Sequence, residues 1–165
     1  MPPPNSGSMR RQEPPALDSV MDWAGAFLAR RPHSEAELRA KLLRRGAAHE
    51  TVDAAIERMR ALALVDDSAF AEAWAAERRR RGRGPAWVIA ELEAKGIERE
   101  TAEAAAGTDE DEAAAAAATG LLRRVAHRPL AEQARRLLEM LGRRGFSEEA
   151  ALRAVRAVLP PEGWD

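Results

Sequence analysis

The densest group of residues that could recognise a ligand is an arginine run in the middle of the chain. Arg78, Arg79, Arg80, Arg81 and Arg83 place five positive charges within six residues, among Gly82, Gly84 and Pro85. Consecutive arginines point in every direction around a helix, so some of them must share a basic surface. The glycines would let backbone approach a phosphate, and the proline suits the first turn of a following helix. The pattern predicts a contact with a phosphate backbone or an acidic protein. The alternative is a solvated helix end followed by a turn.

Basic residues also recur directly before three glycines that are 50 and 49 residues apart. Arginine or lysine stands before each glycine, and two of the motifs have a second arginine one position earlier. These pairs are Arg45 and Gly46, Lys95 and Gly96, Arg144 and Gly145, with Arg44 and Arg143 as the additional arginines. A cation near a helix carboxyl end is favourable without any ligand. These residues can therefore form a composite basic strip only if their side chains are not already bound by other groups within the fold.

Other residues that could catalyse a reaction or bind a metal lack the partner residues that such a site needs. The chain has no cysteine, which excludes disulfides, thiolate zinc sites and a cysteine nucleophile. His33, His49 and His127 are far apart and are interpreted as surface or loop residues, and no phosphate-loop or GxSxG motif occurs. Asp66 and Asp67 are predicted to begin a helix, with an N-cap role more fitting than acid–base work. We therefore expect no catalytic residue, metal or cofactor.

The elements that would position these residues read as helices. Alanine, leucine, arginine and glutamate dominate from Leu17 onward, and no segment alternates as a strand does. Ser34 to Glu37 forms a capping box, and Asp109 to Glu112 resembles an acidic first turn with Thr108 as a possible cap. A second helix of the first unit is expected to reach about Leu64.

Internal repetition organises the helices into three units. Apolar residues stand eight and four places before each of the three glycines: Leu38 and Leu42, Val88 and Leu92, and Leu137 and Leu141. The sequence predicts an all-α protein with three tandem three-helix repeats of the helix-turn-helix kind, at 17–65, 66–107 and 108–160, after a disordered tail at 1–15. Each such repeat is stabilised by packing against its neighbour, and we expect an elongated, curved body.

Composition narrows the functional class. Of 165 residues, 27 are acidic and 26 basic, and only 4% are aromatic. Much of the apolar content is alanine, which buries little area, so a large deep-pocket enzyme is disfavoured. No apolar run approaches the length of a membrane span, and no signal-peptide core follows the prolines near Met1, which predicts a cytoplasmic protein.

The aromatic residues are expected mainly in the core. Trp23, Phe27, Phe70, Trp74 and Phe146 have helical spacings that direct them inward. Trp87 lies beside the apolar stripe, directly after the arginine run. Packing between repeats and base stacking are both open for it.

Several of these motifs together resemble the bacterial regulatory RecX family. They are Val65-Asp66-Asp67, Phe70-Ala71, the arginine run, Gly84-Pro85, Val88, Glu91-Leu92 and Lys95-Gly96-Ile97. Ala29-Arg30-Arg31-Pro32 with Ser34, Glu37-Leu38 and Lys41-Leu42 resembles the family's opening segment, and Arg143-Arg144-Gly145-Phe146 its closing one. The chain departs from the family pattern at Trp87, where a basic or polar residue is usual, and in the alanine run of the third unit.

The resemblance implies three tandem three-helix units and a regulatory partner. That partner would be the RecA recombinase, above all its filament on single-stranded DNA, in whose helical groove a monomer would lie. Binding there would block ATP hydrolysis, strand exchange and coprotease activity. A direct DNA- or RNA-binding helical repeat protein is the alternative function, and a plain helical scaffold is a third.

Overall fold

The computed structural model describes residues 13–107 and 109–160, and within these ranges it contains nine α-helices and no strand. The helices are α1 Leu17–Leu28, α2 Glu35–Arg44, α3 His49–Ala61, α4 Asp67–Arg80, α5 Pro85–Ala94, α6 Arg99–Ala106, α7 Glu110–Val125, α8 Leu130–Gly142 and α9 Glu148–Val158. The all-α prediction is confirmed. Residues 1–12 of the predicted tail, and Thr108 as a possible cap, lie outside the described residues.

Helix starts follow the local chemistry that the sequence predicts. The Asp66 carboxylate accepts a hydrogen bond from the Ala69 backbone N–H at 2.9 Å, which confirms its N-cap role before α4. The Ser34 hydroxyl accepts from the Glu37 N–H at 3.1 Å and caps α2. Pro85 occupies the first turn of α5.

Helix ends are mostly where the glycines predict. Gly46, Gly96 and Gly145 follow α2, α5 and α8 with φ of +101°, +79° and +87°, a conformation that favours glycine. The predicted end of α3 at Leu64 is wrong, because the helix ends at Ala61 and Ala63 takes a φ of +53°. Its N–H bonds back to the Arg60 carbonyl at 2.9 Å, so a non-glycine residue ends this helix.

Each set of three consecutive helices encloses its own apolar cluster. The clusters lie within residues 20–65, 70–106 and 114–159. The three repeated apolar pairs, Leu38 and Leu42, Val88 and Leu92, and Leu137 and Leu141, are all fully buried. The repeat pattern in the sequence is therefore also the pattern of the core.

The aromatic residues follow the same clusters. Phe70 and Phe146 are buried, as predicted. Trp23, Phe27 and Trp74 are half-buried at the edges of their clusters. Their indole and phenyl faces are therefore available to neighbouring cations.

By contacts, the chain divides into two compact units. Of the described residues, one unit holds 13–32 and Leu38–Val65, and the other holds His33–Glu37, 66–107 and 109–160. The larger unit thus holds the second and third repeats and the short segment that begins α2. As separate domains, the segments 17–65, 66–107 and 108–160 stay a prediction. Throughout the described ranges, no helix has the length and apolarity needed to cross a membrane.

Candidate arginine-rich interface

Arg78, the first residue of the arginine run, belongs to the packing between α4 and α5. Its guanidinium donates to the Glu91 carboxylate and lies 4.2 Å from the centre of the Trp74 ring. The Trp74 indole donates to the same carboxylate at 2.9 Å. Burial alone would raise the pKa of Glu91, but hydrogen bonds from Arg78, Trp74 and Trp87 and the charge of Arg78 outweigh it and lower that pKa. Arg78 is therefore engaged within the fold.

Arg79 closes the carboxyl end of α6. Its Nη1 donates to the carbonyl oxygens of Ala105 at 2.8 Å and Ala106 at 3.2 Å. The last carbonyls of a helix have no partner within the helix, so an arginine here satisfies groups that would otherwise need water. Arg79, too, has a structural role.

Arg80 and Arg81 point to solvent. Their side chains are 70% and 64% exposed, and both pair with Glu77 one turn earlier. A hydrogen bond from Arg80 and the charge of Arg81 lower the pKa of Glu77. An exposed pair on one helix stabilises by only a few tenths of a kcal/mol. The ion pairs with Glu77 are therefore weak, and an anionic ligand could replace them.

Arg83 and Trp87 form a stacked pair at the start of α5. The guanidinium carbon lies 3.9 Å from the indole centre. Trp87 is 36% exposed, and its backbone and Cβ lie close to Gly145 of the third repeat. Packing between repeats, one of the two alternatives for Trp87, is thus present, and base stacking stays a prediction.

Gly84 contacts another part of the chain with its backbone. Its N–H donates to the Arg144 carbonyl at 2.7 Å, and the Ala86 N–H donates to the Gly145 carbonyl at 3.2 Å. A Cβ at Gly84 would lie 2.5 Å from the carbonyl carbon of Gly145, which real structures do not allow. The sequence predicts that a phosphate approaches this backbone closely. In the structure, the Gly145 turn of the third repeat lies there instead.

The residues before the three glycines do not form a uniform strip. In the larger unit, the Lys95 ammonium pairs with Glu37 at 2.8 Å and lies 4.2 Å from the Trp74 ring centre. Arg144 directs its Nη1 toward the carbonyls of Arg81 and Gly82, each at 3.3 Å. Lys95 and Arg144 are therefore both half-buried and have contacts within the fold.

The remaining members of this set are more open. Within the smaller unit, the Arg45 guanidinium covers the Trp23 ring at 4.5 Å. Arg44 and Arg143 are exposed and have no carboxylate partner among the residues that the structure describes. Arg45 and Arg79 are exposed as well, but they contact a ring and helix carbonyls, whereas Arg44, Arg80, Arg81 and Arg143 have no such contact among the described residues.

The sequence predicts that the repeats contact one another, but the sequence reasoning missed the backbone and hydroxyl groups that make these contacts. In the larger unit, the Ser34 hydroxyl donates to the Lys95 carbonyl at 2.6 Å, as the Gly84 N–H does to Arg144. Ser34 and Gly84 stand at equivalent positions, four residues before Leu38 and Val88. Because the repeats have equal spacing, the sequence could have predicted that these two positions make the same contact with the following repeat.

Two further groups of polar residues have structural contacts. The Glu110 carboxylate accepts from the Ser147 N–H at 2.7 Å, and Asp111 binds Arg153 with both carboxylate oxygens, so the acidic turn of α7 joins α9. His33 lies in a loop, as one of its two interpretations has it, but it is not on the surface, since it is only 3% exposed.

Comparison with known proteins adds independent information. A family model described as the first three-helix domain of RecX matches residues 24–59, and one described as the second three-helix domain matches residues 66–105. The "Regulatory protein RecX" of Thermobifida fusca is 38% identical over 143 residues, which cover 83% of this chain and 77% of that protein. The chain belongs to the RecX family. The resemblance of its motifs to RecX is thereby confirmed.

Other RecX proteins extend the match. The "Regulatory protein RecX" of Mycobacterium ulcerans is 32% identical, with 98% of this chain and 94% of the relative covered. The crystal structure of RecX from Lactobacillus salivarius has a TM-score of 0.79 and 21% identity, and the match covers 86% of this chain and 96% of that one. This similarity shows that the RecX fold is shared. The relatives are named as regulatory proteins.

Proposed function

We propose that this protein binds the RecA recombinase and its filament on single-stranded DNA and inhibits ATP hydrolysis, strand exchange and coprotease activity. The observation that carries the proposal is family membership over nearly the whole chain. We further propose that the protein acts in the cytoplasm as a monomer and carries out no chemical step itself.

The accessible arginines support this proposal. Arg44, Arg80, Arg81 and Arg143 are exposed, and they can meet acidic protein patches or the bound strand. Each exposed contact contributes little by itself, so affinity comes from repeats that bind together. Contacts to neighbouring RecA subunits hold them in a fixed relation, which opposes the relative movement that hydrolysis requires.

The test is the DNA-dependent ATPase of the cognate RecA in the presence of increasing concentrations of the purified full-length protein. We expect hydrolysis to fall to a low plateau. Strand exchange is expected to fall over the same concentration range. An unchanged ATPase rate at saturating concentration, with the added protein shown to be helical by circular dichroism, would contradict the proposal.

Direct binding to nucleic acid without RecA is the second candidate. The exposed arginines favour it, whereas the near-equality of 27 acidic and 26 basic residues opposes it. It requires tight binding to a bare oligonucleotide. A function of this kind alone would leave the RecA ATPase unchanged apart from competition for DNA.

A further inference from the structure

The turn at Gly96 receives the first turn of a helix, α2, within the larger unit. The Ser34 hydroxyl donates to the Lys95 carbonyl at 2.6 Å, and the Glu37 carboxylate binds the Lys95 ammonium at 2.8 Å. Ala36 lies so close that a Cβ at Gly96 would stand 2.3 Å from the Ala36 Cβ. A turn of this kind therefore fits a helix start with a hydroxyl at the N-cap, a small second residue and an acidic third residue.

The turn at Gly145 receives the start of α5 in the same way. The Gly84 N–H donates to the Arg144 carbonyl at 2.7 Å, and the Ala86 N–H donates to the Gly145 carbonyl at 3.2 Å. Gly84 is the N-cap of α5 and Ala86 its second residue. The contact between a helix start and the glycine turn of the following repeat thus occurs twice.

The turn at Gly46 has the same conformation, but no described residue covers it. Gly46 is exposed with a φ of +101°, and among the described residues a Cβ there would meet no atom within 4 Å. The Arg45 carbonyl is the equivalent of the Lys95 carbonyl, and it accepts no hydrogen bond from the residues that the structure describes. The first repeat therefore presents an open glycine and an unused acceptor.

The Arg45 side chain also lacks one of the contacts of its equivalent. Its guanidinium lies 4.5 Å from the centre of the Trp23 ring, as the Lys95 ammonium lies 4.2 Å from that of Trp74. Lys95 has the carboxylate of Glu37 in addition, whereas Arg45 has no carboxylate partner in the described part of the chain. Because the ring already holds the guanidinium, an acidic side chain can bind it with little further ordering.

A second copy of this chain is a poor occupant of the turn. Its helix α8 has Ala131 as second residue and Glu132 as third, in agreement with the start of α2. However, the N-cap is Pro129, which has neither a hydroxyl nor an N–H to donate, and Glu132 is bound by Arg128. The required helix start is therefore expected on a different protein.

We infer that the turn at Gly46, with Arg45 and Trp23, binds the first turn of an α-helix on a partner protein. That helix begins with serine or threonine at the N-cap, a small second residue and an acidic third residue, which is the pattern of a capping box. The inference deepens the proposed function, on which it rests for its setting, because the helix there belongs to a subunit of the RecA filament. One contact of this size is weak by itself and adds to the others along the filament.

The test uses a fluorescent stapled helical peptide that begins with Ser-Glu-Ala-Glu, mixed with the full-length protein without RecA. Anisotropy measures its affinity, and amide shifts in NMR spectra locate it, with the largest changes expected at Gly46 and Ala47. A peptide with leucine in place of the alanine should bind at least about tenfold more weakly, because the turn leaves no room for a larger side chain.

Variants of Arg45 test the ion pair. Arg45→Glu should weaken binding of the peptide by about tenfold. A peptide with lysine in place of its second glutamate should show the reverse preference and bind the variant more tightly than the wild type. Arg58→Glu is the matched control, since it makes the same charge change at an exposed arginine of α3 in the same repeat. Both variants should keep the melting temperature of the wild type within a few degrees.

The outcomes separate this site from the proposed function. Absence of peptide binding, shifts centred on Gly96, equal losses for Arg45→Glu and Arg58→Glu, or no reversal with the lysine peptide would each overturn the site, while inhibition of RecA by the wild type could persist. Sedimentation showing a dimer that Arg45→Glu abolishes would identify a second copy as the occupant and also overturn it.

The setting on the filament has its own test. Arg45→Glu should bind the RecA filament about tenfold more weakly than Arg58→Glu, and equal affinities would overturn the assignment of the helix to RecA. If the peptides behave as expected but the wild-type protein leaves the RecA ATPase unaffected, the helix-binding turn stands and the proposed function fails.

Discussion

Gly84 and Gly145 meet backbone to backbone, and neither position has room for a side chain. A Cβ at Gly84 would lie 2.5 Å from the Gly145 carbonyl, and one at Gly145 would lie 2.4 Å from the Trp87 backbone nitrogen. Gly84 has a φ of −82°, which any residue adopts, so space alone restricts this position to glycine. The contact joins the second and third repeats within the larger unit.

This contact predicts that Gly84→Ala destabilises the protein. The added methyl group must displace the Gly145 turn and lengthen the two hydrogen bonds beside it. We expect the free energy of unfolding to fall by about 2 kcal/mol, as in other overpacked sites. Urea unfolding followed by circular dichroism measures the change.

Gly120→Ala is the matched control for this substitution. Gly120 lies inside α7, and a Cβ there meets nothing within 4 Å. Alanine at an interior helical position should raise stability by about 0.5–1 kcal/mol. A Gly84→Ala protein as stable as the wild type would show that the two turns are not in tight contact.

Adjacent arginines of the run should differ sharply in their effect on stability. Arg79→Ala removes the donor to the Ala105 and Ala106 carbonyls, and an unsatisfied end of α6 should cost about 1–2 kcal/mol. Arg80→Ala removes only an exposed pair with Glu77 and should change stability by less than about 0.5 kcal/mol. Thermal melts of the two variants make the comparison. Equal melting temperatures would contradict the capping role of Arg79.

The Arg78–Glu91 contact should depend on pH. The pKa of Glu91 is lowered in the folded protein from its ordinary value of 4.5, so the contact stabilises above that value and weakens as pH falls through the folded-state pKa. A double-mutant cycle with Arg78→Gln and Glu91→Gln should give a coupling of about 1 kcal/mol at pH 7. The coupling should decline in acid, as urea unfolding at pH 7 and pH 3 can show. A coupling that is equal at both values would exclude an ionised Glu91 as its source.

Exposed arginines should affect the partner and not the fold. Arg143→Gln is expected to leave the melting temperature unchanged and to weaken binding to the RecA filament by up to about fivefold, since one exposed contact is worth up to about 1 kcal/mol. The loss should shrink at high salt. Filament sedimentation at two salt concentrations measures it. Unaltered sedimentation at low salt would remove Arg143 from the interface.

The sequence predicts the fold well because its repeat is strict. Leu38 and Leu42 and their equivalents keep one spacing before a glycine, and that spacing determines both the helix and its buried face. N-caps such as Asp66 are local features and could also be predicted. The end of α3 could not, since Ala63 adopts a left-handed conformation that alanine disfavours.

The candidate site was harder to predict because charge alone does not show where an arginine points. Arg78 and Arg79 are adjacent to Arg80 in sequence, but the first two bond to α5 and α6. Arg124 stands 43 residues beyond Arg81 in the chain, and only tertiary structure brings both to the lining of one cleft, of about 310 Å³, beside α4 and α7. The density of basic residues in the sequence therefore indicates the region of the site. Which of its arginines are bound within the fold and which are accessible can be seen only in the structure.

The most direct measurement of the central claim compares the affinity of the protein for the RecA filament on single-stranded DNA, for RecA alone and for the DNA alone. We expect binding to the assembled filament to be tightest, by at least about tenfold, and to persist at a salt concentration that abolishes binding to bare DNA. Equal affinity for the filament and for bare DNA, with the same salt dependence, would show that the chain recognises nucleic acid and not RecA.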